Sequence, residues 1–323
     1  MTPENLLDPA YQFFRDEPSS DWTLANLPAI RARIHATFPG AGEGRGKQRW
    51  IPTTSGDARV RVCLYRPSLD ASKDPIPAVL YVHGGGFVLG APEMADEYLT
   101  QLAGELGALI VAVDYRLAPE HPFPTPLEDC FAALSWLFSE TDSLGLEANR
   151  MVVMGHSAGG GLAAALALLA RDRQLPALAG LALIYPMLDH RTGTPDAPHE
   201  NPTTGTFSWS REANQFGWAC MRGGLEVSDD QMPLYSPALA PSLEGLPPSF
   251  VSVGALDLFL EEDVNFALTL SKSGVPVELH VYPGVPHMFD LHPGDLSEQC
   301  NADLVRALRS MCGRLPITPK DAK

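Results

Sequence analysis

The chain of 323 residues carries 39 acidic against 23 basic side chains, a formal charge of -16 at neutral pH. Such a surface repels nucleic-acid phosphates and anionic lipid, which argues against both as partners. A hydrophobic content of 45% with 19% charged residues suits a globular chain with a substantial core and excludes a disordered one.

Five scattered cysteines, Cys63, Cys130, Cys220, Cys300 and Cys312, contain no C-x-x-C pair. Neither a disulfide framework nor a zinc site is expected, and they read as small buried hydrophobes in a reducing compartment. The opening MTPENLLDPAYQFF is acidic where a signal peptide needs positive charge. No apolar run is long enough to span a bilayer, the Ala158–Ala170 stretch having the length of a buried helix. The expectation is a cytoplasmic protein without membrane insertion.

Taken in order, residues 1–46 hold two amphipathic segments, around Leu6–Arg15 and Leu24–Phe38, and do not resemble part of a sheet. Gln48–Ile51 and Val60–Tyr65 alternate apolar and polar residues about TTSGD, the signature of an antiparallel hairpin. From Ala78 the pattern changes. AVLYVH, ALIVAVD, MVVMG, LALIYP, SFVSVG and VELHVYP are near-continuous apolar runs of strand length, as in a parallel sheet covered on both faces. Segments of helical period lie between them: Ala95–Gly107, Pro126–Ser139, Gly159–Arg171, Glu261–Ser273 and Leu296–Gly313. This alternation predicts a doubly wound α/β architecture, whose sites gather beyond the carboxyl ends of the strands. Residues 189–246 break the rhythm with a Pro-, Thr- and Gly-rich insertion around SREANQFGWACMRG. Long insertions of this kind are commonly functional, and with the N-terminal helices it is expected to form a cap. The predicted division is a cap of residues 1–46 and 189–246 on a body of residues 47–188 and 247–323.

Three stretches carry chemistry. Ser157 sits in a G-x-S-x-G frame between a short strand and an Ala/Leu-rich helix, the context of a strained strand-to-helix turn that presents a nucleophile. A serine hydroxyl needs a base within hydrogen-bond reach and a group that orients that base. His287 lies in a Gly- and Pro-bounded loop after the last strand, and Asp257 lies just past the strand before it. His280 falls within a strand, His292 lies beyond Asp290, and His35, His121, His190 and His199 lack a strand-end context. Asp189, after LALIYP, is the alternative acid, but Asp257 is preferred; Glu261, Glu262 and Asp263 read as the start of a helix, where carboxylates suit the dipole. HGGGFVLG, from His83 to Gly90, follows a strand directly. Its glycines allow the Gly85 and Gly86 amides to join that of Ala158 in stabilising an oxyanion. No Lys-Ser/Thr pair follows and no G-x-G-x-x-G is present, so a phosphate cradle is excluded.

HGGGF, YRLAPEHPFPTPLED, GHSAGGGLA and the downstream Asp257 and His287 together resemble the hormone-sensitive-lipase-like family of microbial carboxylesterases, from about Gln48 to Gly313. The resemblance implies an α/β-hydrolase fold with a mostly parallel eight-stranded sheet, flanking helices and a helical cap. It also implies hydrolysis of short- to medium-chain esters without a metal or organic cofactor. Two departures stand out: His156 replaces the aspartate that members commonly carry before the nucleophile, and the acid loop reads D-L-F rather than D-P-L. A structural role is expected for His156, against the HGGG loop or the cap.

The reading is therefore a serine carboxylesterase of the triad type, with Ser157, Asp257 and His287 as triad and a small-molecule ester as substrate. An amidase, formamidase or carbamate hydrolase would use the same triad, and a non-catalytic receptor on this scaffold is the other alternative. Phe207, Trp209, Phe216, Trp218 and Met221, with Tyr11, Phe13 and Phe14, are candidates either for an apolar acyl pocket or for packing the cap; Phe207, Trp209 and Phe216 are the substrate-contact candidates. The last strand and the C-terminal helix, Leu296–Arg314, are expected at a sheet edge, where a homodimer would form.

Overall fold

The computed structural model of the chain describes residues 2–53, 58–67 and 74–313; most of the TTSGD turn and Arg314 lie outside them. The strands are β1 (Lys47–Pro52), β2 (Arg59–Tyr65), β3 (Ile76–Val82), β4 (Leu109–Asp114), β5 (Leu146–His156), β6 (Gly180–Ile184), β7 (Ser249–Gly254) and β8 (Val277–Tyr282). The helices are α1 (Leu27–His35), α2 (Asp96–Leu106), α3 (Thr125–Ser139), α4 (Thr141–Leu144), α5 (Ala158–Asp172), α6 (Arg211–Arg222), α7 (Met232–Tyr235), α8 (Leu260–Lys272) and α9 (Asp295–Gly313). They surround an eight-stranded sheet of order β1-β2-β4-β3-β5-β6-β7-β8. β2 is antiparallel to both of its neighbours and β3 to β8 pair in parallel, so one strand alone runs against the rest.

The continuous apolar runs follow from burial on both faces. On one side Leu80, Val82, Val111, Val153 and Leu183 join a core with Leu134, Leu162, Leu166, Phe266 and Leu270 from α3, α5 and α8. On the other, Val79, Tyr81, Ile110, Val152, Met154 and Ile184 pack with Leu99 and Leu102 of α2 and Leu304, Leu308 and Met311 of α9.

α9 does more than stand at the edge expected for it. Leu304, Ala307, Leu308 and Met311 recur at helical spacing and are buried against a face of the sheet, while Asp303 and Arg306 reach Tyr282, His280 and Glu278 of the edge strand β8. Val281 is exposed on that edge strand.

The N-terminal segment contains the 3-10 turns Pro3–Asn5 and Pro9–Arg15 before α1. Pro9 supplies no amide, and Asp8 begins the second turn by accepting from the Ala10 N–H at 2.8 Å. This segment is tied to the far end of the chain. The Asp8 amide donates to the Gly284 carbonyl at 2.8 Å, while Tyr11 and Phe14 pack with Phe207, Tyr282, Val285 and Phe289. The 189–246 insertion contains α6 and α7, and Trp209, Ala213, Trp218 and Met221 enter the main core beside Phe87. Among the described residues, no helix is long and apolar enough to cross a membrane. All five cysteines are buried and free, and burial pushes the Cys63 thiol up to about 12.

Candidate active site

β5 ends at His156 and α5 begins at Ala158, leaving Ser157 alone in the turn with φ 55° and ψ -123°, a strained setting for a residue with a side chain. The turn closes main chain against main chain. A Cβ at Gly155 would stand 2.1 Å from the Gly159 carbonyl oxygen, and one at Gly159 would stand 2.2 Å from that of Val82. Both glycines of the frame are thus required by contact distance. The Ser157 amide donates to the Ile184 carbonyl at 2.9 Å, and its carbonyl accepts from Gly161 and Met187 at 3.0 Å. The backbone is fully engaged and the hydroxyl is left free to face the loops.

Three residues distant in sequence meet there. His287 Nε2 lies 2.9 Å from Ser157 Oγ and Nδ1 lies 2.7 Å from Asp257 Oδ2. A carboxylate only accepts, so Nδ1 carries the proton and Nε2 is the acceptor facing the hydroxyl. Asp257 Oδ1 accepts from the Phe259 amide at 3.0 Å. The loops after β7 and β8 are joined by Leu256 N–H to Val285 O at 3.0 Å and Ala255 N–H to Tyr282 O at 2.7 Å. His287 and Asp257 are each 1% exposed and Ser157 5%, which strengthens every electrostatic contact among them. The His287 ring is flanked edge-on by Tyr185 at 4.5 Å and Phe259 at 5.2 Å.

The expected alternative acid is engaged elsewhere: Asp189 accepts from the Arg191 amide at 2.9 Å and from its guanidinium at 3.0 and 2.7 Å.

The HGGG loop packs against the nucleophile. A Cβ at Gly84 would lie 3.3 Å from Ser157 Cβ, and Gly85 and Gly86 have φ of 121° and 59°. The Gly85 carbonyl accepts from Val88 and Leu89 at 3.0 and 2.9 Å. Burial lowers the His83 pKa, and its neutral ring stacks on Tyr115 at 4.2 Å with Nδ1 2.7 Å from the Gly84 carbonyl.

Of the three substrate-contact candidates, Trp209 and Phe216 both meet Trp22, at 5.3 and 5.8 Å, while Phe207 lies apart. Trp209 lies on the loop, its ring 2.4 Å from where a Gly86 Cβ would be and 6.3 Å from the His287 ring centre, with its N–H donated to Asn214 at 3.2 Å. Phe216 meets Trp22 at 5.8 Å and packs with the cluster of Leu27, Ile30 and Val88. Phe207 belongs to the cluster formed by Tyr11, Tyr282 and Phe289.

His156, expected against the HGGG loop or a cap, packs its ring elsewhere. Strand alternation puts 152, 154 and 156 on one side, and the ring meets Tyr81, Tyr98 and Tyr185 edge-on. Its Nε2 lies 3.7 Å from Asp290, which accepts from the Tyr185 hydroxyl at 2.7 Å. Its role there is packing and pairing beneath the turn.

Glu262 has more to do than start a helix. It accepts from the Leu188 amide at 2.6 Å and from the Thr192 hydroxyl, fixing the start of the 189–246 insertion to α8. Its neighbour Asp263 is wholly buried with both carboxyl oxygens unpartnered among the described residues, and burial together with the charges of Glu262 and Asp257 pushes its pKa well up. An acid raised on folding binds more protons in the folded state, so stability falls as pH rises from its unfolded value, about 3.9. Asp263→Leu removes that cost and is expected to stabilise the chain by about 1–3 kcal/mol near neutral pH. The gain shrinks toward acid. Urea unfolding at about pH 5 and about pH 8 checks this through the linkage slope, and a gain independent of pH counts against it.

Among the described residues, no group of three or more His, Cys, Asp or Glu side chains is placed to hold a metal ion. Residues 79–291 match the model of a family described as having the alpha/beta hydrolase fold. The chain belongs to this alpha/beta-hydrolase family. Within this family it is 33% identical over 260 residues to an ethyl acetate hydrolase of Pseudomonas putida, covering 80% of each chain. It is 36% identical over 224 residues to a carboxylesterase of Mycobacterium tuberculosis, covering 67% of each. Among solved alpha/beta-hydrolase structures it superposes on a bacterial heroin esterase with a TM-score of 0.87 and 33% identity, covering 97% of this chain and 100% of the other. These relatives place it with the hormone-sensitive-lipase-like carboxylesterases, hydrolases that act on ester bonds.

Proposed function

We propose that the chain is a serine carboxylesterase that hydrolyses short- to medium-chain carboxylic esters through an acyl-enzyme. The observation that carries this reading is the chain of 2.7 and 2.9 Å contacts from Asp257 through His287 to Ser157 Oγ at a strained turn. In the proposed sequence His287 Nε2 takes the Ser157 proton as Oγ bonds to the ester carbonyl carbon, and Asp257 steadies the resulting imidazolium. The Gly85, Gly86 and Ala158 amides receive the oxyanion, Ala158 being the first residue of α5 and so without an intrahelical acceptor for its N–H. Collapse breaks the bond to the alcohol, which leaves with the proton from His287. Water, deprotonated by the same imidazole, then attacks the acyl carbon, and Ser157 regains its proton as the acid departs.

The acyl preference rests on the resemblance to the carboxylesterase family; Trp209, whose indole leaves no room for a side chain at Gly86, stands beside His287. A relative named for the hydrolysis of ethyl acetate supports the same short-chain range. The proposal includes the division of the chain into a cap, residues 1–46 and 189–246, and a body, residues 47–188 and 247–323. The buried, unpaired cysteines suit a reducing compartment, and the cytoplasm is the proposed location.

The test is covalent labelling with a fluorophosphonate, read by mass spectrometry, alongside matched ester and amide substrates of increasing acyl length. Labelling confined to Ser157, with ester turnover falling as the acyl chain lengthens, is the expected result. An unlabelled Ser157 rules out the nucleophile, and a rate still rising on long-chain emulsions rules out the acyl preference. Faster cleavage of the amide would make the chain an amidase.

A further inference from the structure

Arg31 stands on α1, outside the sheet and far in sequence from every residue of the proposed chemistry, yet its guanidinium reaches the HGGG loop and the loop that follows β4. Nε donates to the Val88 carbonyl at 2.7 Å and Nη2 to the Ala118 carbonyl at 2.8 Å. Nη1 and Nη2 also donate to the two oxygens of Glu120 at 2.7 and 2.9 Å.

The first two contacts bear on the HGGG loop. Val88 closes a turn by donating to the Gly85 carbonyl at 3.0 Å, and the Ala118 amide donates to the Phe87 carbonyl at 3.0 Å. Arg31 thus grips one residue of each loop on either side of the bond that joins them. A peptide unit is planar, with its C=O and N–H pointing in opposite directions. Turning the Gly85 carbonyl toward Val88 therefore sets the direction of the Gly86 N–H. Both glycines have positive φ and resist reorientation little on their own, so the direction must be held from outside.

We infer that Arg31 is a positioning residue that preorganises the oxyanion donors by holding the Val88 and Ala118 carbonyls; this rests on the reading of the Gly85 and Gly86 amides given above. A planar guanidinium can hold two carbonyls and a carboxylate at once, whereas an ammonium is a compact charge without that fork. The rival account is a surface ion pair with Glu120. Glu120 is half exposed, and such a pair adds little to stability and has no consequence for catalysis.

The experiment compares Arg31→Lys, Arg31→Ala and Glu120→Gln with the wild type by melting, by kcat and KM on a short-chain ester, and by hydrogen exchange of the 84–90 segment. Arg31→Lys is expected to melt close to the wild type but to lose about 10- to 100-fold in kcat, the scale of a misplaced catalytic group, with KM little changed. Exchange at Val88 and Leu89 should speed up in both Arg31 variants, while Glu120→Gln keeps kcat within about threefold, as loss of an exposed pair alone would. Wild-type exchange in the 84–90 segment of both Arg31 variants overturns the inference, as does a kcat lost equally in Glu120→Gln. If the wild type neither turns over esters nor labels at Ser157, the esterase reading fails, and exchange alone decides whether Arg31 holds the loop.

Discussion

Ser157→Ala is expected to lower kcat on a short-chain aryl ester by about a million-fold, the scale seen when the nucleophile of a serine triad is removed. The fold should survive. Ser157 engages its neighbours through its backbone, to Ile184, Gly161 and Met187, while its hydroxyl meets His287. Alanine retains the Cβ that already fits against Gly84 and tolerates the positive φ no worse than serine does. The variant should therefore melt with the wild type, bind ester and refuse the fluorophosphonate. Turnover within about tenfold of the wild type, against the million-fold expectation, would remove Ser157 from the mechanism.

Asp257→Asn is expected to cost about 10⁴-fold in kcat, as in other triads whose acid loses its charge. The reason is the direction of one proton. Asp257 Oδ2 accepts from His287 Nδ1, which leaves Nε2 free to receive the serine proton. The amide of asparagine presents a donor at that position, so the imidazole is driven to the tautomer with its proton on Nε2, facing Ser157. The amide oxygen can still accept from Phe259, the partner of Oδ1 in the wild type, so the loop holds. Asp189→Asn serves as the comparison. Its loss should fall on the local pairing with Arg191, with kcat within about threefold of the wild type, far from the 10⁴ expected of a triad acid. A larger kcat loss in Asp189→Asn than in Asp257→Asn would transfer the orienting role to the earlier loop.

Much of this was legible because the decisive features are local. Strands buried on both faces leave unbroken apolar runs, and Ser157, Asp257 and His287 each stand at the end of one. The features that escaped depend on contacts across the chain. α9 looks like nothing more than an edge element until its buried stripe, Leu304, Ala307, Leu308 and Met311, meets a face of the sheet. Phe207, Trp209 and Phe216 lie within ten residues, yet Phe207 joins Tyr11 and Phe289 while Trp209 and Phe216 meet across Trp22, a residue far away in sequence. The side that His156 faces is readable from strand alternation, which puts it with Met154, although the glycines crowding the turn suggest the loop. Arg31 left no trace, because the carbonyls it holds belong to Val88 and Ala118 and carbonyls have no sequence signature. Glu262 and Asp263 looked like ordinary first-turn acids of α8, and only their burial sets them apart.

The anchor at Glu262 has a bearing on how this chain can be recombined with its relatives. Leu188, Asp189 and Thr192 are held to α8 by that carboxylate. At the other end Ser236 Oγ donates to the Leu188 carbonyl at 3.2 Å and accepts from the His190 amide at 3.1 Å. Part of the stitching, through His190, Thr192 and Ser236, lies within 189–246, while Leu188 and Glu262 lie outside it. A graft joined at 189 and 246 would keep the Leu188 amide on Glu262 but lose the Thr192 and Ser236 hydroxyls. Joined after Thr192 and before Ser236, a foreign segment arrives on a seam that the recipient already keeps closed, and only residues 193–235 change hands.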